Sequence, residues 1–225
     1  MKPFYDFYKD ASRPFKLLVV SGFSGSGKGS ILDKFRDEHR TVLGRPIEVV
    51  TSYTTRSPRY ARENYHFVSP EKFQNMVFTD AFLEYSEAYS NHSYGTPIEG
   101  VLDALNKDAI PCLEIDHIGL KKLLAEGKIG PNSVVSVFIT APADELYRRL
   151  CNRDTETCAQ IRSRLLTALQ ESYHVNSYQN VIFNSDLNIA VEELQEAFEG
   201  RLQTVVEFDD MQFRKDLQYI LDTMF

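Results

Sequence analysis

Cysteine is scarce in this chain. There are three in 225 residues, Cys112, Cys151 and Cys158, and no CxxC pair. So sparse and odd a count excludes a disulfide framework and suits free thiols in a reducing cytoplasm, the expected location. The five histidines do not cluster around the cysteines, which argues against a zinc site. No apolar run approaches the ~18 residues that would span a bilayer, so no membrane partner is expected. The opening segment, MKPFYDFYKDASRPFK, is polar and aromatic and lacks the apolar stretch of a secretory signal. Positive charge is also in deficit: 25 Lys and Arg stand against 32 Asp and Glu, a net charge of -7. A general nucleic-acid binder would be basic, so nucleic acid is not an expected partner and any basic function is local. Internal repeats and low-complexity segments are missing too. What remains is an ordinary globular composition, 43% hydrophobic and 25% charged, enough for the core of one medium domain.

Short apolar runs alternate with helical patterns along most of the chain. Strands are expected at Leu17–Val20, Ile47–Thr51, Ile110–Ile115, Ser133–Thr140 and Val181–Phe183. Helices are expected at Ile31–His39, Pro97–Asn106 and Ile118–Glu126, from Ala143 onward and from Ile189 onward. This order predicts a parallel sheet with helices on both faces. Residues 52–96 break the pattern. Prolines, arginines and tyrosines crowd there around one short helix, Pro70–Phe78, with Ser69 as its cap and Pro70 in its first position. The block reads as an inserted lobe.

Between the first strand and helix lies GFSGSGKGS, Gly22–Ser30. Gly22 to Lys28 fits GxxxxGK in a strand–loop–helix setting. Glycines at this spacing let successive backbone N–H groups turn inward around phosphate oxygens. The helix N-terminus adds positive potential, and the lysine reaches the β- and γ-phosphates. Gly22, Ser24, Gly25, Ser26, Gly27, Lys28, Gly29 and Ser30 are therefore the candidate ATP-phosphate residues. Gly29 stands where such loops carry a hydroxyl for Mg²⁺. Mg²⁺ is thus expected to be held by the nucleotide phosphates and water, and no protein metal ligand is nominated. In the lobe, TTRSPR sets Arg56 and Arg59 three residues apart around a proline. Guanidinium forks suit bidentate phosphate binding, and Tyr65 and Tyr94 bring hydroxyl donors. Taken alone, TTRSPR reads equally as a solvated basic turn.

In chain order GFSGSGKGS, TSYTTRSPR, NYHFVS, FLEYSEAYSNHSYGTP, CLEIDHIG, FITAPADELYRRLCNRDTET and VIFNSDL resemble the guanylate kinases, from Leu17 to Leu187. The resemblance implies an α/β fold with a P-loop NTPase-type parallel sheet flanked by helices, an inserted GMP-binding lobe and a small mobile lid. It divides the chain into an N-terminal extension (1–15), the kinase-like domain (16–200) and a C-terminal helical tail (201–225). Within the domain the core is 16–51 and 97–200, the lobe 52–96 and the lid about 150–164. It implies MgATP and GMP as ligands. Arg56, Arg59, Tyr65 and Tyr94 would hold the GMP phosphate, and Ser52, Glu84, Thr96 and Asp116 would read guanine. Lys28, Arg56, Arg149, Arg153 and Arg164 would act on the transferring group, and Asn184 would lie near the ATP nucleoside.

The chemistry of that set is coherent. Guanine presents N–H donors at N1 and N2, which suit an acceptor-only carboxylate such as Glu84. Hydroxyls on Ser52 and Thr96 suit O6. Without that context Glu84 reads as a surface carboxylate on an edge strand, and Asp116 as a helix N-cap. Four features depart from the family pattern: Tyr53 before the two threonines, a shortened loop between Arg59 and Tyr65, Glu114 in place of an aspartate, and Gly29. Adenylate kinases also carry glycine after the loop lysine. Two other readings fit parts of the pattern, a non-catalytic guanylate-kinase-like binding module and a related kinase acting on ribose bisphosphate. The oligomeric state is not legible. In the tail Met211, Leu217, Ile220 and Leu221 fall near helical spacing, as a helix packed on the core or one that binds a partner. Cys151 and Cys158 flank the lid without an assigned role.

Overall fold

A computed structural model describes residues 16–38, 40–58, 64–87, 92–125, 129–153, 156–202 and 207–225. The extension 1–15, Arg59 and most of the shortened loop lie outside the described residues. The elements follow in the order β1 (Leu17–Gly22), α1 (Lys28–Asp37), β2 (Thr41–Val42), β3 (Arg45–Val49), β4 (Ser52–Thr54), β5 (Tyr65–Phe67), α2 (Pro70–Phe78), β6 (Phe82–Glu87) and β7 (Ser93–Pro97). Then come α3 (Ile98–Asn106), β8 (Ile110–Glu114), α4 (His117–Ala125), β9 (Val134–Thr140), α5 (Ala143–Cys151), α6 (Cys158–Glu171), β10 (Asn180–Phe183), α7 (Leu187–Glu199) and α8 (Asp210–Met224).

The chain forms two compact units. The first takes the residues up to Val19 together with Thr41–Val135. The second takes Val20–Arg40 and Ser136–Phe225. Parallel pairing dominates: β3 runs parallel to β8 with Ile47 opposite Ile110, and β9 runs parallel to β10 with Thr140 opposite Phe183. Strand β2 adds an antiparallel edge to β3. Helices connect most of these strands, giving an α/β fold with a parallel sheet flanked by helices. Every residue of β9 and all of β1 up to Ser21 are buried. Continuous apolar runs of that kind mark strands covered on both faces, each large aliphatic contributing roughly 1.5–3 kcal/mol of transfer free energy.

The block read as irregular is itself a sheet. Strands β4 to β7 form a four-stranded layer in the order β5-β4-β7-β6. Strands β4 and β5 have only three residues each and β7 carries Gly95 and Pro97, which hides the period-2 pattern. Helix α2 matches its expected span, and Ser69 accepts from the Lys72 N–H at its start. Helix α1 begins three residues before its expected start, at Lys28, because Gly27 turns into it with φ +89°. Helix α7 begins at Leu187, where Asp186 accepts from the Asn188 and Ile189 N–H groups. In the tail, α8 buries Phe213, Leu217, Ile220 and Leu221 in the second unit and leaves Met211 exposed. Phe213 therefore replaces Met211 in the expected stripe, and the core-packed reading of the tail holds.

Candidate active site

The residues expected to hold the donor nucleotide belong to the second unit. The buried β1 delivers the chain to Gly22, where a Cβ would stand 2.2 Å from the Ile139 carbonyl oxygen. Only glycine permits that approach. The loop then folds on itself, Ser26 donating its N–H to the Phe23 carbonyl. Lys28, the first residue of α1, donates through Nζ to the carbonyls of Gly22 and Phe23. Gly29 and Ser30 are exposed, and a Cβ at Gly29 would meet nothing within 4 Å. The missing hydroxyl is thus a matter of sequence and not of space. The Ser26 hydroxyl is buried and has no hydrogen-bond partner among the described residues.

Two arginines reach this loop from different helices. On α5, Arg149 donates from Nη1 to the Ser26 carbonyl at 3.3 Å and from Nη2 to the Asn184 carbonyl at 2.7 Å. On α6, Arg164 donates to the Ser24 hydroxyl at 2.7 Å. Asn184 follows β10 and donates its amide to the Ser26 carbonyl at 2.7 Å. A Cβ on Gly27 would lie 2.3 Å from that amide nitrogen. In this conformation the Asn184 side chain braces the loop. Arg153 is exposed.

Each gripping arginine has a carboxylate partner that the sequence reading passed over. Glu145 accepts from Arg149 Nε at 2.7 Å and from Arg148 at two atoms, each 2.7 Å. Hydrogen bonds from Arg148 first, then Arg149, hold the Glu145 carboxyl down at about 2. Arg164 forms an ion pair with Glu156, whose other carboxylate oxygen is buried without a hydrogen bond. The Glu145 signal was present in ADELYRR as i,i+3 and i,i+4 spacing. Glu156, in the segment ahead of α6, has no such local signature.

The residues expected to hold the acceptor belong to the first unit and are written in strand register. Glu84 on β6 stands opposite Thr96 on β7. Tyr94 stands opposite Thr54, and Ser52 opposite Tyr65. Alternation along each strand then puts Ser52, Tyr65, Glu84, Tyr94 and Thr96 on one face of the small sheet. The other face is aromatic: Tyr53 meets Phe82 at 6.0 Å and Phe73 of α2 stacks on Phe82 at 4.7 Å between centroids. Arg56 follows β4, and its guanidinium lies 5.5 Å over the Tyr65 ring and 5.6 Å over Phe67. Tyr65 and Tyr94 meet edge to face at 6.0 Å. Arg56, Tyr65 and Tyr94 are thus brought together, while Arg59 lies outside the described residues.

Glu84 is only 2% exposed although β6 is an edge strand, because α4 packs against it. The Thr96 hydroxyl donates to Glu84 Oε1 at 2.6 Å and the Thr96 N–H to the same oxygen at 3.2 Å. Burial pushes the carboxyl up to about 7. The Asp116 carboxylate adds to the rise, and the Thr96 hydrogen bonds oppose it. Asp116 Oδ1 accepts from the Gly119 N–H at 2.8 Å, so it caps α4 as well as facing Glu84. Gly119 is another residue the sequence reading missed. A Cβ there would sit 2.6 Å from Glu84 Oε2. This face offers a desolvated acceptor beside hydroxyls, an arrangement for a planar ring with N–H donors on its edge.

Among the described residues no group of three or more His, Cys, Asp or Glu is arranged to hold a metal ion. No described helix is long and apolar enough to cross a membrane.

The guanylate kinase family model matches residues 14–201. A guanylate kinase of Clostridioides difficile (strain 630) is 37% identical over 183 residues, covering 80% of this chain and 84% of that protein. One from Campylobacter jejuni (strain RM1221) is 38% identical over 183 residues, covering 80% and 85%. The crystal structure of guanylate kinase from Anaplasma phagocytophilum aligns with a TM-score of 0.62 at 25% identity, over 84% of this chain and 87% of that one. A phosphate loop gripped by paired arginines and a buried carboxylate beside threonine agree with those matches: the chain belongs to the guanylate kinase family.

Proposed function

We propose that the chain transfers the γ-phosphoryl group of MgATP to the phosphate of GMP or dGMP, giving ADP and GDP or dGDP. The observation that carries the choice of acceptor is Glu84, buried, hydrogen-bonded by Thr96 and made costly to ionise by desolvation. Guanine N1–H and N2–H offset that cost. Adenine presents an acceptor at N1 and leaves the carboxylate unpaired, a mismatch that can reject an analogue by ~10⁴ or more. Arg56, Arg59, Tyr65 and Tyr94 hold the acceptor phosphate, and Ser52, Thr96 and Asp116 complete base reading.

The donor phosphates lie on the N–H groups of Gly22 to Ser30, with Lys28 on the β- and γ-oxygens. Arg149, Arg153 and Arg164 neutralise charge spreading over the equatorial oxygens. Asn184 contributes on the donor side by bracing the loop. The acceptor phosphate monoester is mostly ionised near neutral pH, with a second pKa of about 6, so no side chain serves as general base. Mg²⁺ enters with ATP as substrate. With no hydroxyl at position 29, it would be held by phosphate oxygens and water and would supply charge neutralisation there. Residues 52–96 act as the acceptor lobe and about 150–164 as the lid that excludes water.

The test is ADP release from MgATP with GMP, dGMP, AMP, UMP, CMP and ribose bisphosphate offered singly, beside Lys28→Ala. Turnover with GMP or dGMP alone, lost in the variant, establishes the reading. Turnover with ribose bisphosphate instead transfers the chain to a different kinase class. A folded protein that binds GMP and turns over nothing is a binding module.

A further inference from the structure

Phe23, the second residue of the phosphate loop, is fully buried. Its ring lies parallel to that of Phe213 on α8, 4.8 Å between centroids and 8° between planes. Phe138 of β9 meets it edge-on at 4.8 Å, and Phe208 lies at 6.1 Å. Phe208 and Phe213 fall beyond residue 201, where the family model ends. Thus a loop common to the family is packed against a helix that the family segment does not include.

Helix α8 also contacts both helices that carry the gripping arginines. It packs on α5 and on α6. At its end the Phe225 ring meets Tyr147 of α5 at 6.0 Å, edge to face. Its Arg214 guanidinium lies 4.2 Å over Tyr173, just past the end of α6. Each part of the donor half, the loop, α5 and α6, therefore touches this one helix, and all of them belong to the second unit.

The Phe23 backbone ties this packing to the chemistry. Its carbonyl accepts from the Ser26 N–H at 3.1 Å and from Lys28 Nζ at 3.3 Å. A displacement of the Phe23 ring carries that carbonyl with it, and with it the turn of the loop and the anchor of its lysine. A close-packed aromatic stack resists such displacement, whereas a cavity beside the ring permits it. We infer that α8 is a positioning element of the donor half-site, with Phe213 holding Phe23 and so the loop in the geometry that receives ATP. The inference rests on the kinase reading above.

The test compares full-length Phe213→Ala with Ile220→Ala, a deletion of buried carbons on the same helix about 10 Å away along its axis. The KM for ATP, the KM for GMP, kcat and the melting temperature are measured for each. Calorimetric binding of a non-hydrolysable ATP analogue and of GMP is measured beside them. Phe213→Ala is expected to raise the KM and Kd on the ATP side about tenfold and leave those for GMP within about twofold. Ile220→Ala is expected to lower the melting temperature without that split. Phe213→Leu, which keeps most of the volume, is expected to stay within about threefold of the unaltered chain. Should Phe213→Ala fail to fold, Phe213→Val is judged by the same criteria. A lowered melting temperature with ATP and GMP constants unchanged, or the same ATP effect from Ile220→Ala, overturns the inference and leaves α8 as core packing. An unaltered chain that binds both ligands and transfers nothing sinks the kinase reading separately, because the binding arm still decides the role of Phe213.

Discussion

The donor half-site gathers positive charge on helices and gives most of it a partner within the chain. The candidate acceptor half-site buries a carboxyl group on its strands and leaves part of the cost of ionising it uncompensated. Arg149 rests on Glu145 and on loop carbonyls, and Arg164 rests on Glu156 and Ser24. Their carboxylate partners lie four and eight residues away in sequence and their loop partners more than a hundred, and the fold itself assembles the geometry. Glu84 has Thr96 on one oxygen, a carboxylate neighbour in Asp116, and a carboxyl shifted up to about 7. Phosphate is common to all nucleotides, so a preassembled cationic cradle serves. A base must be told from its analogues, and in the proposed function a desolvated acceptor that gains only from N–H donors makes that distinction.

The largest expected effect breaks the donor side alone. Lys28→Ala lowers kcat/KM by about 10³ or more, with GMP affinity kept, as calorimetry with GMP checks. A loss of GMP binding in parallel would mean that the two halves are not chemically separable. Next comes Glu84→Gln, which turns half of an acceptor into a donor. GMP affinity falls about 10²–10³-fold while the ATP constants stay within about twofold. The reverse pattern would remove Glu84 from base reading.

Proton linkage sharpens the same contrast. The raised Glu84 pKa means that the folded chain holds this proton up to about pH 7, whereas the unfolded chain loses it near 4.5. Its stabilising contribution is therefore present below 4.5 and lost as pH rises through 7. Glu84→Gln should remove that part of the decline, seen as a melting temperature higher than that of the unaltered chain at pH 8. Guanine binding needs the carboxylate, so the KM for GMP should rise about tenfold per pH unit below 7. Glu84→Gln should show a flat profile between pH 6.2 and 8, and the KM for ATP should barely move there. A KM for GMP that is flat in the unaltered chain would break the assignment.

Two smaller effects probe the donor network. Glu145→Gln leaves Arg149 in place but loosens its orientation, lowering kcat about three- to tenfold with both KM values nearly kept. An unchanged kcat would make Glu145 a helix-surface residue only. Gly29→Ser has room for its side chain and should change kcat by less than about threefold, while lowering the Mg²⁺ concentration needed for half-maximal rate. A large loss of activity would show that the open position is needed for another purpose.

What could be read in advance follows the range of the forces involved. The buried strands β1 and β9 announced themselves as apolar runs, and α2 through Ser69 and Pro70. Those signals are local. The four strands of the small sheet did not: β4 and β5 have only three residues each, β6 has a register shift and β7 carries Gly95 and Pro97. The donor loop was legible because its chemistry is contiguous. Glu145 was legible in principle from its spacing to Arg149, whereas Glu156, Gly119 and the Phe23–Phe213 stack owe their places to tertiary packing. Gly119 has the plainest reason: its contribution is an atom it lacks, and a missing Cβ has no pattern until Glu84 is seen 2.6 Å from where it would be.

The pairing of Glu84 with Thr96 makes acceptor choice a question of parity. On a regular strand alternate residues share a face, but β6 shifts register between Phe82 and Glu84. Phe82, opposite Pro97, lies in the aromatic layer, while Glu84, two residues on and opposite Thr96, lies on the polar side, and removing that odd step would turn the carboxylate into the aromatic layer. Composition, charge and the phosphate loop would all survive such a change. The place of Glu84 thus hangs on one irregular step in this hairpin, and a second such step would undo it.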